Sequence, residues 1–315
     1  MALAGNGTYN DSCASRMTIT SQSSSPKPRS EDEIIDGLSV DVEDYFHVEA
    51  FADRVTKQDW GNYPSRFAAN TRRILDIFAL NGCRGTFFVL GWVAERDPAL
   101  VREIAEAGHE IACHSHLHRR VTTLTPEEFR EDLRRATHAI EDAAGVKVLG
   151  YRAPTFSIRR ESLWALDILA QEGFLYDSSF FPIRHDLYGY PEGPRFLHHR
   201  KLNDGRGIYE IPMSTLRLGG QNWPFGGGGY LRLLPMSYTK WAMERTHRVE
   251  KQPAIVYFHP WELDPNQPRI QAGWKSSFRH YTRLGAMERS LKTLLTAGKF
   301  EPLINFVTRA IASTN

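Results

Sequence analysis

The stretch "IIDGLSVDVED", residues 34–44, runs an apolar segment straight into Asp41, Glu43 and Asp44. A buried strand ending in three carboxylates crowds like charges where desolvation is costly, so the cluster calls for a compensating partner. Six more short apolar runs follow it: "GTFFVLG" (85–91), "EIACHS" (110–115), "VLGYRAP" (148–154), "FLYDSS" (174–179), "GIYEIPM" (207–213) and "AIVYFHP" (254–260). Most are separated by stretches of helical period, over 65–82, 97–109, 125–145, 160–174, 237–252 and 285–300. Strands alternating with helices argue for an α/β fold with a parallel sheet, and seven strands suggest a closed or nearly closed barrel.

The clearest helix is "TPEEFREDLRRATHAIEDAAG", where Thr125 and Glu128 form a capping box, Pro126 takes the first helical position and Gly145 follows the end. Its core face is Phe129, Leu133, Ala136 and Ile140. Residues 1–32, rich in Ser, Thr, Asn and Pro, carry no apolar periodicity and are expected to form a mobile tail, with one domain over 33–315.

The net charge of +2, with acids and bases mixed along the chain, gives no footprint for nucleic acid or a membrane surface. No stretch approaches the roughly 20 apolar residues of a membrane span, and the first residues lack a secretory pattern, so a cytoplasmic protein is expected. The three cysteines, Cys13, Cys83 and Cys113, are too few for a disulfide scaffold. Cys113 is read as a small apolar filler.

Polar residues of unusual chemistry sit at the carboxyl ends of the expected strands: Asp41 to Asp44, His114 to His118, Arg152, Asp177 and His259. In barrels of this kind the active site forms at that face. In "HSHLH", His114 and His118 on one helical turn would aim both imidazoles at a single divalent cation, with His116 pointing elsewhere. By itself the pair could be a solvated turn. A carboxylate from the first strand would complete a two-histidine, one-acid set, which zinc hydrolases and non-haem iron oxygenases share. A second carboxylate as general base and a distant histidine as acid tip the balance to hydrolysis.

These residues resemble the polysaccharide deacetylases of carbohydrate esterase family 4, also called nodulation-protein-B-like. "SVDVED", "HSHLH", "RAP", "DSS" and "YFHPWE" are similar, in order, to the five motifs of that family. The part from about residue 178 resembles a branch found with exosortase and exopolysaccharide systems. The resemblance implies a distorted, partly open (β/α) barrel of about seven parallel strands. It also implies zinc or another first-row divalent metal, and removal of N-acetyl groups from the amino sugars of a polysaccharide or its lipid-linked precursor. His114 and His118 would bind the metal and Asp41 would be the base, held ionised by Arg152. His259 would protonate the amine, oriented and charged by Asp177.

The first motif departs from the usual adjacent acid pair, so the third ligand is either Glu43, favoured by strand alternation, or Asp44, favoured by a tight turn after Val42. We lean to Asp44. Pro154, Phe181, Trp223 and Trp261 are candidate substrate contacts, although both tryptophans could equally be plain packing residues. The glycine run Gly226 to Gly229 would shape a loop over the cleft, and the remaining histidines, His47 and His280 among them, are read mostly as surface or turn residues. Two competing functions remain on the same fold, a hydrolase of small cyclic amides or ureides and a non-catalytic glycan-binding module.

Overall fold

The computed structural model describes residues 34–313 except 187 and 203; the tail expected over 1–32 lies outside the described residues. The strands are β1 (Asp36–Val42), β2 (Thr86–Val89), β3 (Glu110–Cys113), β4 (Gly150–Tyr151), β5 (Tyr176–Asp177), β6 (His198–Lys201), β7 (Gly207–Glu210), β8 (Thr215–Leu218), β9 (Gln221–Pro224), β10 (Ile255–Phe258) and β11 (Phe300–Glu301). The helices are α1 (Phe67–Leu80), α2 (Gly91–Arg96), α3 (Pro98–Glu106), α4 (Pro126–Ala144), α5 (Trp164–Gln171), α6 (Gly229–Leu233), α7 (Met236–Arg245), α8 (Trp274–Tyr281), α9 (Leu284–Leu295) and α10 (Ile304–Ala312).

The main sheet runs β10-β1-β2-β3-β4-β5-β7-β6, with β11 also on β1; β8 and β9 form a separate antiparallel hairpin. All seven expected strands are present and lie parallel in this order, and only β6 runs antiparallel, against β7. β10 and β6 are the sheet's outer strands, so it is a curled half-barrel and not a closed one. Part of the free edge of β10 is occupied by the glycine run. Tyr257 N–H donates to Gly226 O at 2.8 Å and Gly228 N–H donates to Tyr257 O at 2.9 Å. A Cβ on Gly227 would lie 2.2 Å from Tyr257 O, which is why the run must be glycine where it meets the strand. It pairs with the sheet edge, correcting the expectation of a loop over the cleft.

β1 is buried at every position, as a central parallel strand should be. The α4 capping box forms, Gly145 takes the left-handed conformation at φ 70°, and Phe129, Leu133, Ala136 and Ile140 are fully buried. Cys113 is a fully buried filler in β3, where burial raises its thiol pKa. Among the described residues no helix is long and apolar enough to cross a membrane.

Candidate metal and hydrolytic site

β1 ends at Val42, and a tight turn follows in which Glu43 N–H donates to Asp41 O at 3.0 Å. The turn anticipated as favouring Asp44 therefore exists, but it presents Glu43. Ligand atoms of Glu43, His114 and His118 all lie within 4.8 Å of one another, and all three residues are buried. Asp44 turns the other way, to the start of α1. Its Oδ2 accepts from Ser65 Oγ at 3.0 Å, Arg66 N at 2.6 Å and Phe67 N at 3.1 Å, and its Oδ1 accepts from Tyr45 N at 2.9 Å. The lean to Asp44 as third ligand is corrected on that geometry: its oxygens are spent on backbone donors that the helix itself leaves unsatisfied.

The two histidines do not share a helical turn. The segment after β3 is irregular, with Ser115 and His118 in left-handed conformations at φ 70° and 50°. His114 Nδ1 lies 2.9 Å from Arg152 O, which fixes the ring and turns Nε2 towards the cluster. His118 Nε2 is 2.8 Å from Glu43 Oε2, yet that oxygen has no properly aligned hydrogen-bond donor. A buried, ionised oxygen without a donor, beside two imidazoles, is the chemistry of a cation site. Burial opposes ionisation of Glu43, but His118, His259 and His114 outweigh it and hold the carboxyl well below its usual range. Burial also pulls His114 down to about 4, keeping it in the neutral, metal-binding form. His116 is buried apart from the cluster, facing Glu95 at 3.7 Å.

Two residues before Glu43, Asp41 Oδ1 accepts from Arg152 Nη1 at 2.7 Å, with both side chains buried. Arg152 also donates to Ser39 Oγ, Ser178 O and Ser178 Oγ, and its guanidinium lies 4.1 Å from the Phe88 ring centroid. Such a fully paired arginine is a rigid anchor. Pro154 and Phe181 are buried beside it, through Phe156, which contacts both the Arg152 guanidinium and the Phe181 ring.

Just past β10, His259 Nδ1 lies 2.7 Å from Glu262 Oε1, and His259 Nε2 lies 3.4 Å from Glu43 Oε1. Glu262 is held in turn by Arg232, whose Nε donates at 2.5 Å. Burial disfavours the imidazolium, but Glu43, Glu262 and Asp41 outweigh it and raise His259 to about 9. Glu262, despite its burial, is drawn down to about 2 by Arg232 and His259. With 17% of its side chain exposed, His259 is the member of this group that solvent and substrate reach most easily. Trp261 stacks on it at 5.2 Å and donates Nε1–H to Glu43 at 3.2 Å.

Asp177 does not serve His259. Its oxygens accept from Ser179 N and Oγ, and it pairs with Glu210, where burial and the Asp177 charge push the Glu210 carboxyl well up. Burial and the neighbouring acid thus favour the protonated form of Glu210. Trp223 lies on β9 and is 51% exposed, with the neighbouring Asn222 tied to Pro182 O. His47 and His280 are buried, not surface residues. His47 Nδ1 accepts from Asp44 N, and His280 stacks 4.2 Å from Trp261. A cavity of about 330 Å³ lined by His47, Glu49, Thr56, Lys57, Trp60 and His118 opens beside the cluster.

Glu262 and Arg232 escaped the sequence reading. Glu262 sits three residues after His259 in "HPWE", an i, i+3 acid that carried a signal, and Arg232 is a charge inside the apolar run "YLRLLP".

A curled α/β half-barrel with an acid and two histidines at the carboxyl ends of its strands defines the nodulation-protein-B-like class. Residues 59–173 match the model described as Polysaccharide deacetylase, and residues 178–308 match one described as a domain of unknown function (DUF3473). Over residues 59–173 the chain thus matches the polysaccharide deacetylase family. Over 101 residues it is 32% identical to a chitooligosaccharide deacetylase of Rhizobium leguminosarum bv. trifolii, covering 32% of this chain and 44% of that protein. Over 103 residues it is 31% identical to a peptidoglycan deacetylase-like protein of Gibberella zeae, covering 33% of this chain and 30% of that protein. The chain thus spans less than half the length of these curated relatives. A Mycobacterium smegmatis protein solved as a candidate polysaccharide deacetylase superposes with a TM-score of 0.58 at 22% identity, covering 89% of this chain and 91% of that one. That likeness speaks to the fold.

Proposed function

We propose that the protein is a metal-dependent hydrolase that removes N-acetyl groups from amino sugars of a polysaccharide or its precursor. The observation that carries this reading is that the Asp41–Arg152 and His259–Glu262 pairs both adjoin the Glu43, His114 and His118 cluster. The donor set, two imidazoles and one carboxylate, suits zinc or another first-row divalent ion. A cation held there supplies Lewis acidity that polarises the amide carbonyl and makes a water easier to deprotonate.

The chain's own residues do the rest. Asp41, positioned by Arg152, takes a proton from the attacking water as the C–O bond forms. His259 begins protonated and gives its Nε2 proton to the amine nitrogen as the C–N bond breaks, so one water is consumed and acetate and a free amine result. Glu262, fixed by Arg232, supports the imidazolium before transfer, in the role expected of Asp177. Pro154 and Phe181 stay as candidate supports of the substrate pocket and Trp223 as a candidate sugar-stacking surface, while Trp261 orients Glu43. An exopolysaccharide pathway and a lipid-linked substrate are consistent with the branch resemblance.

The test is acetate release from N-acetylglucosamine oligomers by zinc-loaded protein, with cyclic ureides assayed in parallel. Acetate release that chelation abolishes supports the reading. Turnover of ureides alone would replace the substrate class, and oligomer binding without turnover would favour the binding-module alternative.

A further inference from the structure

α8 has one face committed to the site and the other bare. On the inner side, His280 stacks on Trp261 and packs 4.7 Å from Phe51, while Arg232 donates to the carbonyls of Arg279, His280 and Thr282. The helix is thereby fixed to the same arginine that holds Glu262. On the outer side, Trp274 and Phe278, one turn apart, are 77% and 58% exposed. Large aromatic side chains bared this far in adjacent turns mark an interaction surface when they are not isolated.

They are not isolated. Residues 265–287 contain no aspartate or glutamate, while Arg269, Lys275, Arg279 and Arg283 all fall within them and are exposed. Among the described residues none of the four is ion-paired, and Lys275 Nζ lies 5.7 Å from the Trp274 ring. The chain's net charge of +2 conceals this local excess, so the expectation of no electrostatic footprint for a membrane surface holds for the total but not for this face. A neutral sugar would stack on a ring without needing cations. Exposed Trp and Phe interleaved with unpaired cations are instead the composition of a segment lying in the headgroup layer, rings towards the acyl boundary and charges on lipid phosphates.

We propose that the outer face of α8, with its flanking arginines, docks the protein reversibly on an anionic lipid bilayer. It deepens the function proposed above by holding the site, through Arg232 and Trp261, at the surface where a lipid-linked glycan would lie. A two-turn helix carrying Lys275 and Arg279, with Arg269 and Arg283 flanking it, gives peripheral, salt-sensitive attachment and not insertion.

The experiment is flotation of the full chain with vesicles of phosphatidylglycerol and phosphatidylcholine in equal parts, against phosphatidylcholine alone, with no glycan present. Wild type should float with the anionic vesicles and be released at about 1 M salt, where the screening length falls to about 3 Å. Trp274→Ala/Phe278→Ala and, separately, Lys275→Glu/Arg279→Glu should each lower partitioning at least tenfold while acetate release from soluble oligomers is unchanged. Failure of wild type to float, or variants that float as wild type does, overturns the proposal. So does a rise in KM for soluble oligomers in these variants with vesicle binding intact, which would make the face a glycan platform. Because flotation needs no catalysis, its outcome is independent of whether the deacetylase reading stands.

Discussion

Glu262 Oε1 sits 2.7 Å from His259 Nδ1, and Arg232 closes on the far oxygen of the same carboxylate. This relay supplies the imidazolium with its counter-charge from three residues away in sequence. A cation on Glu43 would offset that residue's charge, leaving Glu262 as a principal support. His259 must be protonated to act as acid, and the carboxylates around it raise its pKa above the ordinary value despite its burial, so activity should persist near neutral pH and fall as pH rises through the pKa of the folded state. Glu262→Gln removes a stabilising charge and should move the alkaline limb of kcat/KM down by about 1–2 pH units. Asp177→Asn should leave the limb in place. PH–rate profiles of both variants check this, and a limb that moves with Asp177 instead would restore the original assignment.

Glu43 and Asp44 are adjacent acids with separate tasks, and calorimetry can tell them apart. Glu43→Gln should weaken zinc binding at least tenfold, measured by titration, while leaving the fold intact. Asp44→Ala should keep zinc affinity within a few-fold but lower stability by about 2 kcal/mol, because Arg66 and Phe67 N–H at the head of α1 lose their acceptor. Loss of zinc binding in the Asp44 variant with an unchanged melting temperature would reverse the two roles.

The seven core strands were legible because each is a short apolar run, most of them set apart by helical periods, and α4 because its caps are written in Thr125, Glu128, Pro126 and Gly145. The strands outside that set were not. β6, "HHRK", and β9, "QNWP", are polar, and β11 is only two residues long, so none carries a buried-strand pattern. At the site, spacing pointed to the histidine pair but gave the wrong backbone: Ser115 and His118 adopt left-handed conformations that period arguments do not anticipate. The choice between Glu43 and Asp44 turned on where α1 begins in space, a long-range fact. Asp177 failed for the same reason, since its partner Glu210 arrives on β7, 33 residues later.

The contact between the glycine run and β10 yields a stability prediction. Gly227→Ala would drive a methyl group to within 2.2 Å of Tyr257 O, and the backbone cannot yield without breaking the pairing of Gly226 and Gly228. We expect a loss of about 2–3 kcal/mol in urea unfolding, at the upper end of overpacking costs. Gly229→Ala, where the nearest atoms are 3.8 Å away, should cost under about 1 kcal/mol. Equal effects at the two positions would show that the edge contact is not what constrains the sequence.

Asp41 and Arg152 form a pair whose halves should fail differently. Asp41→Asn keeps the size and one acceptor oxygen near Arg152, so the protein should fold and bind zinc, but without a base acetate release should fall by about 10²–10⁴-fold. Arg152→Met removes the donor to Asp41, Ser39 and Ser178 at once and leaves a buried carboxylate uncompensated. That variant should lose about 3–5 kcal/mol of stability, recovered in part when Asp41→Asn is added, because the orphaned charge is then gone. The double-mutant cycle in urea reads the coupling directly. Additive losses would mean the two side chains do not depend on each other, and substantial acetate release from Asp41→Asn would remove Asp41 as the base.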